Sequence, residues 1–183
     1  KALSARVYTA ENREASRKVA AESFVLLKND NVLPLQKKGT VALVGPLADD
    51  GAQYVGTWTG AAYKKYPSLL EAFRSVDGVK VIHARGSNLL EDAVQEEKLS
   101  YRYKYNRDPR SEEKLIREAV AAARRADVVV AAVGEAAYMA GESVSKTSLD
   151  LPGCQKRLLE ALVKTGKPVV MVLFSGRPLT IAW

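Results

Sequence analysis

The chain is poor in the residues that most often build metal centres and nucleophilic triads. It holds one cysteine, Cys154, and one histidine, His83, in 183 residues. A single cysteine excludes an internal disulfide and a cysteine-built metal site. A single histidine excludes the multi-histidine zinc sites and removes most routes to a Ser-His-Asp triad. No apolar run approaches the ~20 residues of a membrane-spanning helix, so no membrane is expected as a partner. Blocks of one charge sign are also lacking. The 28 Lys and Arg residues mix with 21 Asp and Glu, as in EEKLSYRYKYNRDPRSEEK, and leave a net charge of +7. Without a basic block interleaved with aromatics, no nucleic acid is expected as a partner. With 47% apolar and 27% charged residues the composition is globular, which excludes wholesale disorder. The length suits one domain, or one domain plus an arm.

What is present is an alternation of buried strands and amphipathic helices. Val19, Ala20, Phe24 and Leu27 recur at helical spacing and predict a helix over residues 10–29. TVALVG (40–45), VKVIHA (79–84), DVVVAAVG (127–134) and PVVMVLF (168–174) read as buried strands. Between them, the capping box SLLE opens a short helix at Ser68. Asp108-Pro109 and Ser111 announce a second, with Leu115, Ile116, Ala119, Val120 and Ala123 on one face. A third runs from about Cys154 to Lys164 and is capped by Gly166. This order predicts an α/β fold, a mostly parallel sheet sandwiched by helices with right-handed crossovers. Residues 1–38 read as a connecting arm carrying the first helix, and residues 39–183 as the sandwich domain. The start at Lys1 without methionine, and the stop at Trp183 just past an apolar strand, suggest part of a longer protein.

The segments after the first three strands are long for such a unit, where ~2–6 residues suffice. All three leave the carboxyl ends of parallel strands, the edge at which ligands bind in these sheets. That rim is the expected site. A dinucleotide fingerprint fits poorly there: GPLADDG places Pro46 where an amide is needed, and GEAAYMAGE is out of register. AGESVSKT has the Lys-Thr of a P-loop without its glycines or its helix. FSGRP and GES are not nucleophile elbows. His83, at a strand end, reads as structural, and Cys154 as a small inert buried residue.

Carboxylates on the rim fit better. Glu142, flanked by Gly141 and Ser143, can be carried by its loop into a neighbouring pocket. Glu135, directly after the third strand, reads as a tether accepting loop amide hydrogen bonds; Asp49 and Asp50 read as solvent-exposed turn residues. Trp58 in VGTWTG is either a platform for the apolar face of a sugar ring or a plug under the loop. Tyr101, Tyr103 and Tyr105 in YRYKYN fit an edge that packs on another domain or a ligand lid.

The segments AAESFVLLKNDNVLPL, VALVGPLAD, VGTWTG, ADVVVAAVGE, AGESVSKTSLDLPGCQ and GKPVVMVLFSGRPL occur in that order, from about Ala20 to Trp183. Together they resemble the second domain, an (α/β)6 sandwich, of glycoside hydrolase family 3 of the bacterial β-glucosidase type. The resemblance implies a retaining exo-acting β-glycosidase, most simply a β-glucosidase, hydrolysing terminal non-reducing β-D-glucosyl residues. It implies a site shared with a barrel domain of the same protein, whose aspartate is the nucleophile. MAGESVSKTSLDLP matches the loop bearing the acid/base, which makes Glu142 the catalytic residue. The Trp58 loop matches the segment whose tryptophan packs against the sugar beyond the cleaved bond, and Lys146 matches a position usually held by a basic residue; the resemblance thus implies Trp58 and Lys146 as the substrate-binding residues.

The implied substrate is a β-linked oligosaccharide or glycoside, with no metal and no organic cofactor. On this resemblance the barrel with its nucleophile and the later sandwich segments are expected to lie outside these residues, so alone the chain is expected to be inactive. Such enzymes are often exported, which suggests a periplasmic or secreted location. The rival expectation is a non-catalytic carbohydrate-binding or scaffolding module on the same fold, because fold alone does not fix function.

Overall fold

The computed structural model describes residues 9–56, 66–99 and 105–183. The chain divides into two compact units, Lys1–Leu35 and Gln36–Trp183. The first contains helix α1, Ala10–Glu22, opened by Thr9, whose hydroxyl accepts from the Asn12 amide. The helix is seven residues shorter at its carboxyl end than the apolar spacing predicts. Ser23 stops it: its amide and its hydroxyl both bond back to the Val19 carbonyl. Phe24, 81% exposed, therefore follows the helix instead of lying on its face.

The second unit is built on four parallel strands: β1 (Gly39–Val44), β2 (Val79–Ala84), β3 (Val128–Gly134) and β4 (Val169–Phe174). Their order is β2-β1-β3-β4, and the register pairs Leu43 with both His83 and Val130. A mostly parallel sheet with flanking helices is the architecture read from the sequence. The central strands β1 and β3 are buried on both faces, which is why they are near-continuous apolar runs. The outer strands β2 and β4 are half-buried.

Helices α2 (Leu69–Arg74), α3 (Ala93–Lys98), α4 (Glu112–Arg124) and α5 (Gly153–Val163) supply the layers. The capping box at Ser68 forms as expected, with Glu71 reaching back to the Ser68 amide at 2.9 Å. On one face of the sheet Ala42, Val44, Val129, Ala131 and Val133 meet Ala119, Ala122 and Ala123 of α4 and Leu158, Leu159 and Leu162 of α5. Alternate strand residues thus share one face, and the alanines let α4 lie close to it. Burying each such leucine stabilises the fold by about 1.5–3 kcal/mol.

Helix α3 lies inside the polar stretch 85–110 that the sequence reading leaves without regular structure. Its six residues, AVQEEK, have no apolar stripe, and the side chain it buries is Glu96. Asp92, whose carboxylate accepts from the amides of Val94 and Gln95, is the signal that opens it. Among the described residues no helix is long and apolar enough to cross a membrane.

Candidate active site

The carboxyl ends of the strands carry the elaborated segments. After β1, residues Gly51–Tyr54 form a 3-10 turn. The Tyr54 hydroxyl donates to the Leu47 carbonyl at 2.6 Å and accepts from the Leu69 amide at 3.1 Å, so one phenol fastens this segment to itself and to α2. The Tyr54 ring stacks on Phe174 at the end of β4, 4.6 Å between centroids and 6° from parallel. Asp49 is exposed, as expected, and accepts from the Ser68 hydroxyl at 2.8 Å. Asp50 differs from the expectation: it is half-buried, and burial pushes its carboxyl above the usual range. Trp58, Tyr101 and Tyr103 lie outside the described residues.

At the end of β2, burial lowers the His83 imidazole below its usual value. The Arg85 guanidinium lies over the Tyr105 ring, 4.9 Å from its centroid. Tyr105 is buried, and burial raises its phenol. Further along, buried Glu96 accepts from the Leu90 amide at 2.7 Å and faces Arg107 at 3.1 Å. Arg107 also donates to the carbonyls of Leu90 and Glu91. This segment is thereby organised around one buried carboxylate paired with an exposed guanidinium, which apolar periodicity does not reveal.

The segment after β3 carries the candidate acid. Gly134 ends the strand at φ 124°, and a side chain there would have its Cβ 2.0 Å from the Phe174 carbonyl oxygen. Only glycine fits. The chain then turns so that the Glu135 amide donates to that same carbonyl at 2.7 Å. The Glu135 carboxylate points inward, 1% exposed. Its Oε1 accepts from Lys146 Nζ at 2.9 Å, and its Oε2 faces Ser175 Oγ at 3.1 Å and Arg177 Nε at 3.3 Å. Glu135 is a tether, as the sequence reading favours, but the partners are charged side chains and a hydroxyl in place of loop amides.

Glu142 stands on the same segment, at the second position of a turn closed by the Val144 amide on the Gly141 carbonyl, 3.3 Å. Ser143, at the third position, has φ 60°, and Gly141 has φ 145°. Glu142 is exposed. Lys146, four residues on, is turned toward Glu135 and also donates to the Asp150 carbonyl at 3.3 Å. The structure thus places Glu142 and Lys146 on one loop, with the carboxylate free to meet solvent and the ammonium held within the fold. Residues after β4 complete the arrangement: Arg177 Nη2 donates to the Met139 carbonyl at 2.7 Å, and the Thr180 amide donates to the Leu149 carbonyl at 2.8 Å.

Three contributors escape sequence reasoning. Ser175 and Arg177 are brought to Glu135 by strand pairing alone, and no local pattern announces them. Gln155 sits fully buried on the first turn of α5, where its side chain holds both backbone groups of Gly134. Its only sequence signal is a polar residue on an otherwise apolar helix face. Cys154, beside it, donates to the Asn88 carbonyl, and burial pushes its thiol up to about 12.

The described residues form a parallel α/β domain with long segments gathered at the carboxyl rim of its sheet, one of them carrying an exposed carboxylate on an anchored loop. Residues 24–183 match the Glycosyl hydrolase family 3 C-terminal domain, and the chain belongs to that family. It is 45% identical over 175 residues to a periplasmic β-glucosidase of Salmonella typhimurium, covering 93% of this chain and 23% of that protein. It is 37% identical over 183 residues to a β-xylosidase of Formosa agariphila, covering 94% and 23%. In three dimensions it is similar to a β-glucosidase from Listeria innocua in complex with glucose, with a TM-score of 0.74 and 31% identity over 96% of this chain and 22% of that one. The chain spans about a quarter of the length of the curated relatives it matches.

Proposed function

We propose that this chain is the acid/base-bearing part of a retaining, exo-acting β-glycosidase that removes terminal β-D-glucosyl residues. Glu142 is the proton donor, Trp58 the platform for the sugar beyond the cleaved bond, and Lys146 the basic residue of the same loop. The observation that carries the reading is the placement of Glu142: an exposed carboxylate on the rim loop after β3, in a turn whose two flanks are tied to Glu135 and Arg177, just past the ends of β3 and β4.

Retaining cleavage needs two carboxyl groups about 5–5.5 Å apart, one to attack the anomeric carbon and one to protonate the leaving oxygen. A barrel domain of the same protein supplies the first, as the family resemblance implies and as the greater length of the relatives allows. Glu142 supplies the second. It gives its proton to the glycosidic oxygen as the bond breaks. It then takes a proton from the water that releases the sugar from the nucleophile. The name of the Salmonella relative supports a periplasmic or secreted location. Both glucosidases and xylosidases stand among the relatives, and glucose is the reading favoured by the 45% identity to a glucosidase.

The test is Glu142→Gln in the complete protein. Hydrolysis of an unactivated disaccharide should fall by about 10²–10⁴, the usual contribution of a positioned proton donor. A glycoside with a very good leaving group should still release it, and azide should restore turnover by forming the glycosyl azide. An unchanged rate on the disaccharide removes Glu142 from the role. Turnover by residues 1–183 alone would contradict a site shared between two domains. Sugar binding without any hydrolysis by the complete protein would favour a non-catalytic module.

A further inference from the structure

One carboxylate in this structure faces two cations. Glu135, whose side chain is 1% exposed, lies 2.9 Å from Lys146 and 3.3 Å from Arg177, themselves 18% and 22% exposed. A carboxylate this deeply withdrawn from water is retained only with such partners, and removing one of them strongly unbalances the rest. The arrangement also has a direction. Lys146 lies four residues after Glu142. Arg177 grips the Met139 carbonyl, three residues before Glu142, at 2.7 Å. Both grips close on the same carboxylate, which is itself fixed to β4 through its own amide on the Phe174 carbonyl. The chain from Met139 to Lys146 is therefore an arch with both feet on Glu135, and Glu142 is near its crown.

We propose that Glu135 is the positioning residue of this loop, acting through Lys146 and Arg177 to fix where the Glu142 carboxyl group stands. This rests on the reading of Glu142 as the proton donor. The turn at the crown closes on one long hydrogen bond, 3.3 Å, and Gly141 and Ser143 both take positive φ. A foot that lets go moves the carboxyl group. Misplacing a catalytic group by about 1 Å is worth up to ~10² in rate. The effect falls on proton donation, because the arch carries the Glu142 carboxyl group.

The experiment compares two aryl β-glycosides in the complete protein, one with an unsubstituted phenol as leaving group and one with dinitrophenol. The first needs proton donation and the second does not. Lys146→Met releases one foot while Arg177 and Ser175 still face Glu135, and a melting curve of the variant checks that it is folded before its rates are read. The expected result is a fall in kcat/KM of at least about tenfold on the phenyl glycoside and less than about twofold on the dinitrophenyl one, within the range for displaced acid catalysis. Lys146→Arg, which keeps a cation on Glu135, should restore the phenyl rate to within about threefold. Glu135→Gln should show the same selectivity more strongly; if it fails to fold, Lys146→Met decides. A parallel loss on both substrates, or no loss on either, overturns the proposal. Glu142→Gln run alongside separates the two claims. If it discriminates between the substrates and Lys146→Met does not, the arch alone is wrong. If Glu142→Gln does not discriminate, the proton-donor reading fails and the arch falls with it.

Discussion

Gln155 completes the end of a strand to which it does not belong. Its side-chain oxygen accepts from the Gly134 amide at 2.7 Å, and its side-chain nitrogen donates to the Gly134 carbonyl at 2.9 Å. The same nitrogen donates to the Leu89 carbonyl at 2.9 Å, so one buried amide joins β3, the segment after β2 and α5. Gln155→Leu keeps the volume, leaves the amide and carbonyl of Gly134 without this partner, and leaves the Leu89 carbonyl with only the Cys154 thiol at 3.8 Å. At about 1–3 kcal/mol for each unpaired group, the variant should lose roughly 2 kcal/mol or more of stability. Urea unfolding measures it; a loss under about 1 kcal/mol would mean that water replaces the amide.

Gly134→Ala tests the adjoining position. The new Cβ would stand 2.0 Å from the Phe174 carbonyl oxygen, at φ 124°. Neither the strand end nor β4 moves without breaking the Glu135 amide bond to that carbonyl. Strain and overpacking together predict a destabilisation of more than about 3 kcal/mol. A variant with unaltered melting temperature would show that the two strand ends can separate without cost. Gly166→Ala is the control, since its Cβ would meet nothing within 4 Å and only its φ of 73° opposes the change.

Much of this architecture is legible in the sequence, and the exceptions share a cause. The four strands are readable because β1 and β3 are buried on both faces and therefore spelled in apolar residues. Helices α2 and α4 announce themselves through Ser68 and Ser111, whose hydroxyls accept first-turn amides. Helix α3 is missed because it buries Glu96, and a pattern search for apolar faces has nothing to find there. The tail of α1 is over-extended because Phe24 and Leu27 keep helical spacing beyond the point where Ser23 bonds back and ends the helix. For the candidate site, Glu142 and Lys146 are visible as a loop. Their mechanical connection is not, because Ser175 and Arg177 reach Glu135 only through the pairing of β3 with β4.

Cys154 sits at the second residue of α5, where the helix dipole favours a thiolate, yet its thiol is pushed up to about 12. Burial dominates, and the charges of Glu112 and Glu91 act in the same direction. The native protein should therefore not react measurably with a thiol-specific disulfide reagent at pH 8, where the thiol is overwhelmingly protonated. In denaturant the same cysteine should react within minutes. Fast labelling of the folded protein would contradict the burial. Cys154→Ser should lower stability by about 1–2 kcal/mol, since a hydroxyl replaces an apolar sulfur while the Asn88 carbonyl keeps a donor.

His83 gives the chain a stability change near neutral pH with a definite sign. It lies at the end of β2, beside a cleft of about 530 Å³ shared with Arg85, Asp108, Arg110, Glu118 and Arg125. Burial lowers its pKa from the ordinary 6.5, Arg74 and Arg85 add to the lowering, and Asp49 opposes it. The folded state therefore resists protonation more than the unfolded chain does. The stability that follows is fully present above pH 6.5 and is lost as pH falls through the folded value. Across that window the native protein should lose stability relative to His83→Gln, whose side chain does not titrate, and the two should run parallel above pH 7. Nuclear magnetic resonance titration of the imidazole supplies the independent measure, with its midpoint below 6.5. A midpoint at or above that value would mean that the neighbouring carboxylates, Asp49 foremost, outweigh burial. The stability curve would then tilt the other way, with the native protein gaining on the variant as pH falls.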